Sequence, residues 1–134
     1  MKLNLALAQL KPRLGDVAAN LELHLQMVGQ AKSAGADLLL FPELSLTGYV
    51  LQDLTPAVAC RPERKDPVFR HLLDASQDLD LVIGFVDEDH RNRFYIASAY
   101  LSQGAVVHVH HKVYLPTYGL FDEGRFFAWG DHIQ

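Results

Sequence analysis

The sequence predicts an α/β fold with a mixed sheet, and three observations carry that prediction. Short apolar runs bounded by turn residues alternate with stretches of helical spacing up to Val86. Two further strand-like runs then follow one another with only Gln103-Gly104 between them. Aspartates stand where the predicted helices begin and a glycine where the first one stops. Alternation implies parallel strands joined by helical crossovers, and the terminal pair adds an antiparallel hairpin.

Residues 3–9 read as a buried first strand, with Leu3, Leu5 and Leu7 on one face and alanines on the other. Gly15 closes a loop, and Asp16 can cap a helix over 17–33 by accepting from its free first-turn amides. Leu21, Leu25 and Val28 give that helix its apolar spacing, and Gly35 suits a left-handed terminator. Residues 37–41 form a short apolar strand that ends at Pro42. Residues 44–65 lack a sustained period and read as a long loop, with a short helix near 52–57. Asp66-Pro67 opens another helix, because proline at the first turn loses no hydrogen bond. Val68, Leu72 and Leu73 form its apolar side. Residues 81–86 are a third strand, and the charged stretch 87–93 a surface turn. Strands over 94–102 and 105–111 meet at Gln103-Gly104, and the chain beyond Lys112 is loop-like and aromatic.

The chain has 134 residues, 49% of them apolar, which is the composition of one globular domain with a real core. A net charge of -4 argues against nucleic acid and anionic membranes as partners, since both favour basic faces. No apolar run approaches the ~20 residues of a membrane span. The single cysteine, Cys60, excludes an internal disulfide and fits a reducing, cytoplasmic compartment.

Glu43 follows the second strand directly, after Pro42. Ligands of open α/β sheets sit outside the carboxyl ends of strands, and a partly desolvated carboxylate there suits a general base. The plainer reading is a capping or ion-paired surface glutamate. Lys112 ends the last strand and shares a face with His108 and His110. It can stabilise an oxyanion there, or simply be solvated. The two histidines have a spacing that can ligate a metal, but the neighbouring ammonium opposes a cation and no third ligand is evident. Cys60 lies away from every predicted strand end, and a loop or core thiol describes it better than a nucleophile.

Together these residues resemble the nitrilase superfamily of carbon–nitrogen hydrolases. Leu40-Phe41-Pro42-Glu43-Leu44-Ser45-Leu46-Thr47-Gly48-Tyr49 is similar to the family's glutamate motif. His111-Lys112-Val113-Tyr114-Leu115-Pro116-Thr117-Tyr118-Gly119-Leu120-Phe121-Asp122-Glu123 is similar to its lysine motif. Ala6-Leu7-Ala8-Gln9-Leu10, with Gly15-Asp16 and Asn20, resembles its first strand and helix. The likeness is collinear over residues 1–134. Within the family, Thr47-Gly48-Tyr49 with Asp53-Leu54, and the run from Tyr114 to Glu123, resemble the glutaminase domain of glutamine-dependent NAD synthetases.

The resemblance implies the amino-terminal half of an αββα sandwich and a Glu-Lys-Cys catalytic set. Glu43 would be the general base and Lys112 the oxyanion group; Tyr49 and Tyr118 would line the pocket, with Glu123 as a further pocket carboxylate. The substrate would be a small amide, with neither metal nor organic cofactor required. The partner would be another copy of the chain or the remainder of its own chain. The family's cysteine comes after the segment that ends here at Gln134, so these residues alone are expected to be inactive. A different class of reading is a non-catalytic protein that keeps the fold for binding or assembly. One departure is local: Tyr95-Ile96-Ala97 stands where the family often has asparagine after tyrosine.

Overall fold

The structure, a computed structural model, describes residues 2–119 and 121–132. Leu120 of the lysine motif and the terminal Gln134 lie outside the described residues. Strands β1 (Leu5–Leu7), β2 (Leu38–Leu40), β3 (Asp80–Glu88), β4 (Phe94–Ser102) and β5 (Ala105–His111) form one sheet, ordered as in the chain. β1, β2 and β3 are parallel, whereas β3, β4 and β5 are antiparallel neighbours. The predicted α/β fold with a mixed sheet is what forms.

Helix α1 (Val17–Ser33) starts where Asp16 accepts from the Ala19 amide at 3.0 Å. It stops in a left-handed Gly35, with Ala36 N donating to Ala31 O and Gly35 N to Lys32 O. Those two bonds are the paired closure that a glycine after a helix permits. A 3₁₀ turn (Gln52–Leu54) and the short α2 (Thr55–Val58) occupy the long loop, close to the expected short helix. In α3 (Pro67–Ala75) the Asp66 carboxylate accepts from the amides of Val68 and Phe69. A last short helix, α4 (Glu123–Phe126), lies in the segment read as loop, its four residues too few for a helical period to show. The hairpin turn places both Gln103 and Gly104 at positive φ, the geometry that matches the twist of the flanking strands.

Both α1 and α3 cover one face of the sheet. Val28 and Ala31 of α1 and Phe69, Leu72 and Leu73 of α3 pack there on Leu39, Leu81, Ile83, Phe85, Ala99 and Leu101. The buried strand expected over 3–9 is corrected: β1 spans only Leu5–Leu7 and packs on one side alone. Ala6 and Ala8 face the helices, while Leu3, Leu5 and Leu7 are 63%, 53% and 72% exposed. Small residues let the helix layer approach, and the leucines are left on the open face. One register row there runs Leu7, Leu40, Val82, Tyr100 and His108 across all five strands. A second correction concerns Asp87, read as part of a surface turn: it belongs to β3 and is buried, bonded to His111 at 2.6 Å.

The segment after β2 crosses the open face of β3 at Gly84. A Cβ at that glycine would lie 2.3 Å from Pro42 O and 2.6 Å from Leu44 N. Gly29 of α1 is the opposite case, with nothing within 4 Å of its would-be Cβ. Gly84→Ala is therefore expected to cost at least about 1–3 kcal/mol by overpacking. Gly29→Ala should add about 0.5–1 kcal/mol by raising helix propensity. Paired denaturant unfolding curves check both; equal effects of the two changes would contradict the crossing.

Candidate active site

Glu43 stands on the crossing segment. Phe41 N continues the ladder to Val82 O at 2.9 Å, after which Leu44 takes a left-handed φ of 51° and Leu46 N bonds Gly84 O at 3.1 Å. That turn points the Glu43 side chain over the sheet towards the end of β5. Lys112 extends β5 by one residue, its amide bonded to Ile96 O and its carbonyl accepting from Gly130 N.

The two side chains meet although 69 residues separate them: Lys112 Nζ donates to Glu43 Oε1 at 2.8 Å. The same ammonium lies 3.2 Å and 3.1 Å from the two carboxylate oxygens of Glu123. Tyr49 donates its hydroxyl to Glu123 Oε1. Glu123 is only 5% exposed, whereas Glu43 is 46% exposed, so the desolvation expected of Glu43 falls on Glu123 instead. Burial pulls the Lys112 ammonium down, but hydrogen bonds to Glu43 and Glu123 outweigh it and hold the group above the ordinary lysine range. Burial and the Glu123 carboxylate push the Tyr49 hydroxyl up, so it stays a donor at neutral pH. The cavity beside this cluster is about 330 Å³, bordered by Glu43, Gly84, Ile96, Ser98, His110 and Lys112. Ile96, at the local departure from the family pattern, is one of its apolar walls.

Tyr118 stands further out. It is exposed and does not border this cavity; its ring meets Phe121 edge-on at 5.8 Å, and Phe121 meets Tyr49 at 5.9 Å. His108 and His110 share the Lys112 face as the spacing requires, with a register shift at the start of β5 absorbed before them. Among the described residues no group of three or more His, Cys, Asp or Glu is placed to hold a metal ion. Cys60 is buried, bridged to Asp87, and its thiol is pushed up to about 12 by burial and the nearby aspartates. It is the core thiol of the plainer reading.

Sequence reasoning missed what supports the glutamate from behind. Asn20 and His24 are fully buried in the middle of α1, deeper than Leu21 and Leu25. The Asn20 amide donates to Leu46 O and Arg13 O, and its oxygen accepts from Arg13 N. His24 Nδ1 lies 2.7 Å from Asn20 O and Nε2 lies 2.8 Å from Ser45 Oγ. A carbonyl only accepts, so Nδ1 carries the proton and Nε2 accepts from the serine. The signals available were Asn20 in the family likeness and a second polar residue, His24, four positions on in the helix.

This fold, with a Glu–Lys–Glu cluster at the strand ends, defines a class. The chain belongs to the carbon–nitrogen hydrolase family, whose sequence profile matches residues 4–131. More particularly, it is 36% identical over 129 residues to the glutamine-dependent NAD(+) synthetase of Acinetobacter baylyi, covering 94% of this chain and 23% of that protein. The synthetase of Thermotoga maritima is 35% identical over 134 residues, with coverage of 98% and 23%. The chain thus spans about a quarter of the length of the curated relatives it matches. Among solved structures, the glutamine-dependent NAD+ synthetase of Acinetobacter baumannii superposes with a TM-score of 0.88 at 36% identity, over 98% of this chain and 25% of that one. The NitN amidase of Neterenkonia superposes with a TM-score of 0.81 at 26% identity, over 98% of this chain and 51% of that one.

Burial pushes the His24 imidazole down from 6.5 to about 4, against a smaller upward pull from Asn20 O. The unfolded chain therefore binds the proton first, so stability is full above about pH 6.5 and falls as pH drops towards 4. The loss from this group should total about 3 kcal/mol. Urea unfolding at several pH values will show a shallower acid limb in His24→Gln than in the parent; identical limbs would contradict the assignment.

Proposed function

We propose that this chain is part of an amidase of the glutaminase type, and that it supplies two groups of a Glu-Lys-Cys set. Glu43 accepts the proton of a cysteine thiol, and Lys112 donates to the oxyanion that forms when the thiolate attacks an amide carbonyl. The acyl group passes to the sulfur as Glu43 returns the proton to the departing ammonia, and Glu43, a carboxylate again, activates the water that hydrolyses the thioester. Glu123 and Tyr49 hold Lys112 charged and in place, and Tyr49 and Tyr118 border the substrate. The observation that carries the reading is the 2.8 Å contact between Glu43 and Lys112 beside an open cavity. Both charged groups are preorganised at one strand end, where an α/β sheet presents its site.

The cysteine belongs to a segment outside these 134 residues, and Cys60 does not replace it. The same segment, or another copy of the chain, covers the apolar face that carries Leu5, Leu7, Leu40 and Val82. Glutamine is the proposed substrate and NAD synthesis the use of the ammonia, because the relatives at 35–36% identity are glutamine-dependent NAD synthetases. A single buried, unpaired cysteine accords with a cytoplasmic setting.

The 134-residue chain alone should release no ammonia from glutamine or simple amides, and Cys60 should resist alkylation at neutral pH. Ammonia release abolished by Cys60→Ala would overturn the assignment of the nucleophile.

In the complete protein Glu43→Gln should lower turnover by at least about 10²–10⁴-fold, the usual worth of base catalysis. Lys112→Met should lower it by about 10²–10³-fold, the worth of one oxyanion donor. Ammonia assays beside melting curves test both, and parental turnover in a folded variant would remove that residue from the mechanism.

A further inference from the structure

The geometry points to His24 as a positioning residue for Glu43: one imidazole grips Phe41 and Ser45, the residues two before and two after the carboxylate. The Phe41 ring stacks on His24 with centroids 4.1 Å apart and planes 19° from parallel. On the other flank Nε2 accepts from Ser45 Oγ at 2.8 Å. Nδ1–H is anchored to Asn20 O on the same helix, so the imidazole plane is fixed by α1 and not by the loop. Glu43 lies between the two grips, with Leu44 held left-handed beside it.

The grip decides where the carboxylate stands. Within the crossing segment Ser45 N bonds Pro42 O at 3.2 Å around Glu43, and Thr47 N and Gly48 N close on Leu44 O; these bonds shape the turn, whereas the contacts with His24 tie it to α1. Glu43 itself faces the cavity and accepts from Lys112. A loosening of 1 Å would turn the 2.8 Å bond into a contact too long for a hydrogen bond. His24 thus acts on the reaction through the segment, by fixing the distance between base and ammonium. This inference rests on the reading of Glu43 as the base.

The test uses the complete enzyme with its cysteine, glutamine as substrate, and His24→Leu, His24→Gln, Ser45→Ala and the double variant His24→Leu/Ser45→Ala. Leucine fills volume but accepts nothing; glutamine offers Ser45 an acceptor oxygen. His24→Leu and Ser45→Ala should each lower kcat about 10–100-fold, the scale of a small misplacement of a reacting group. KM should move less than about threefold, since substrate contacts are untouched. The double variant should lose no more than the worse single one, and His24→Gln should recover at least about tenfold of the loss. Parental kcat in folded His24→Leu, multiplied losses in the double variant, or no recovery with glutamine would each overturn the inference. If His24→Leu does not fold, Ser45→Ala and His24→Gln decide alone: a rate loss in the first with near-parental rate in the second supports it, and any other pairing overturns it. Glu43→Gln is assayed in parallel. Its retention of turnover sinks the underlying reading, whereas its inactivity beside unaffected His24 variants sinks this inference only.

Discussion

The structure depends on a close backbone crossing. Residues 42–44 pass over Gly84 at a distance that leaves no space for a Cβ. Because β3 is free of a side chain at that point, the chain leaving β2 can lie flat on the sheet and end above β5. A bulkier residue would lift the segment and carry Glu43 away from Lys112. Left-handed backbone at Leu44 costs roughly 1–2 kcal/mol for an L-residue. The turn closes on itself through Ser45 N on Pro42 O, and the bonds to Gly84 and His24 tie it to the sheet and to α1. Fold and site are in this sense one constraint, seen from the helix side and from the cavity.

Charge is arranged on the same plan. One ammonium stands among two carboxylates, one buried and one half-exposed. A buried carboxylate without a partner would be expensive, and the price is met by Lys112 and the Tyr49 hydroxyl together. Glu123 thereby anchors the lysine from the dry side, and leaves Glu43 the wetter position. The difference between two similar carboxylates is one of burial. The Asp87–His111 bond does a related task on the helix side, fixing the end of β5 one residue before Lys112.

The two sheet faces differ in kind. Against the helices, Leu39, Leu81, Ile83, Phe85 and Leu101 are excluded from water. On the other face, Leu5 and Leu7 remain more than half exposed. Apolar layers are stable when something covers them. The candidate site opens onto the uncovered layer.

Much of the architecture was legible in the sequence because it is set by short-range rules. Caps at Asp16 and Asp66, the Gly35 stop, the Gln103-Gly104 turn and the strands carrying Glu43 and Lys112 to their ends all follow from neighbouring residues. The family motifs marked the same two residues. Decisions that need a partner across the chain were not legible. Alternation in residues 3–9 shows two faces, but only the helix layer decides that the alanines are inside. Nothing local distinguishes Asn20 and His24 from solvated helix residues, because their burial is created by residues 41–46 arriving from another element. Asp87 reads as surface charge until His111 is seen opposite it, and the resemblance marked Glu123 as a pocket carboxylate without showing that it is buried against Lys112. The sequence by itself determined which elements form and where they end; the tertiary structure decided which side is buried and which charges meet. The physical reason is range: periodicity and capping act over a few residues, whereas burial and electrostatic pairing depend on groups that only folding brings together.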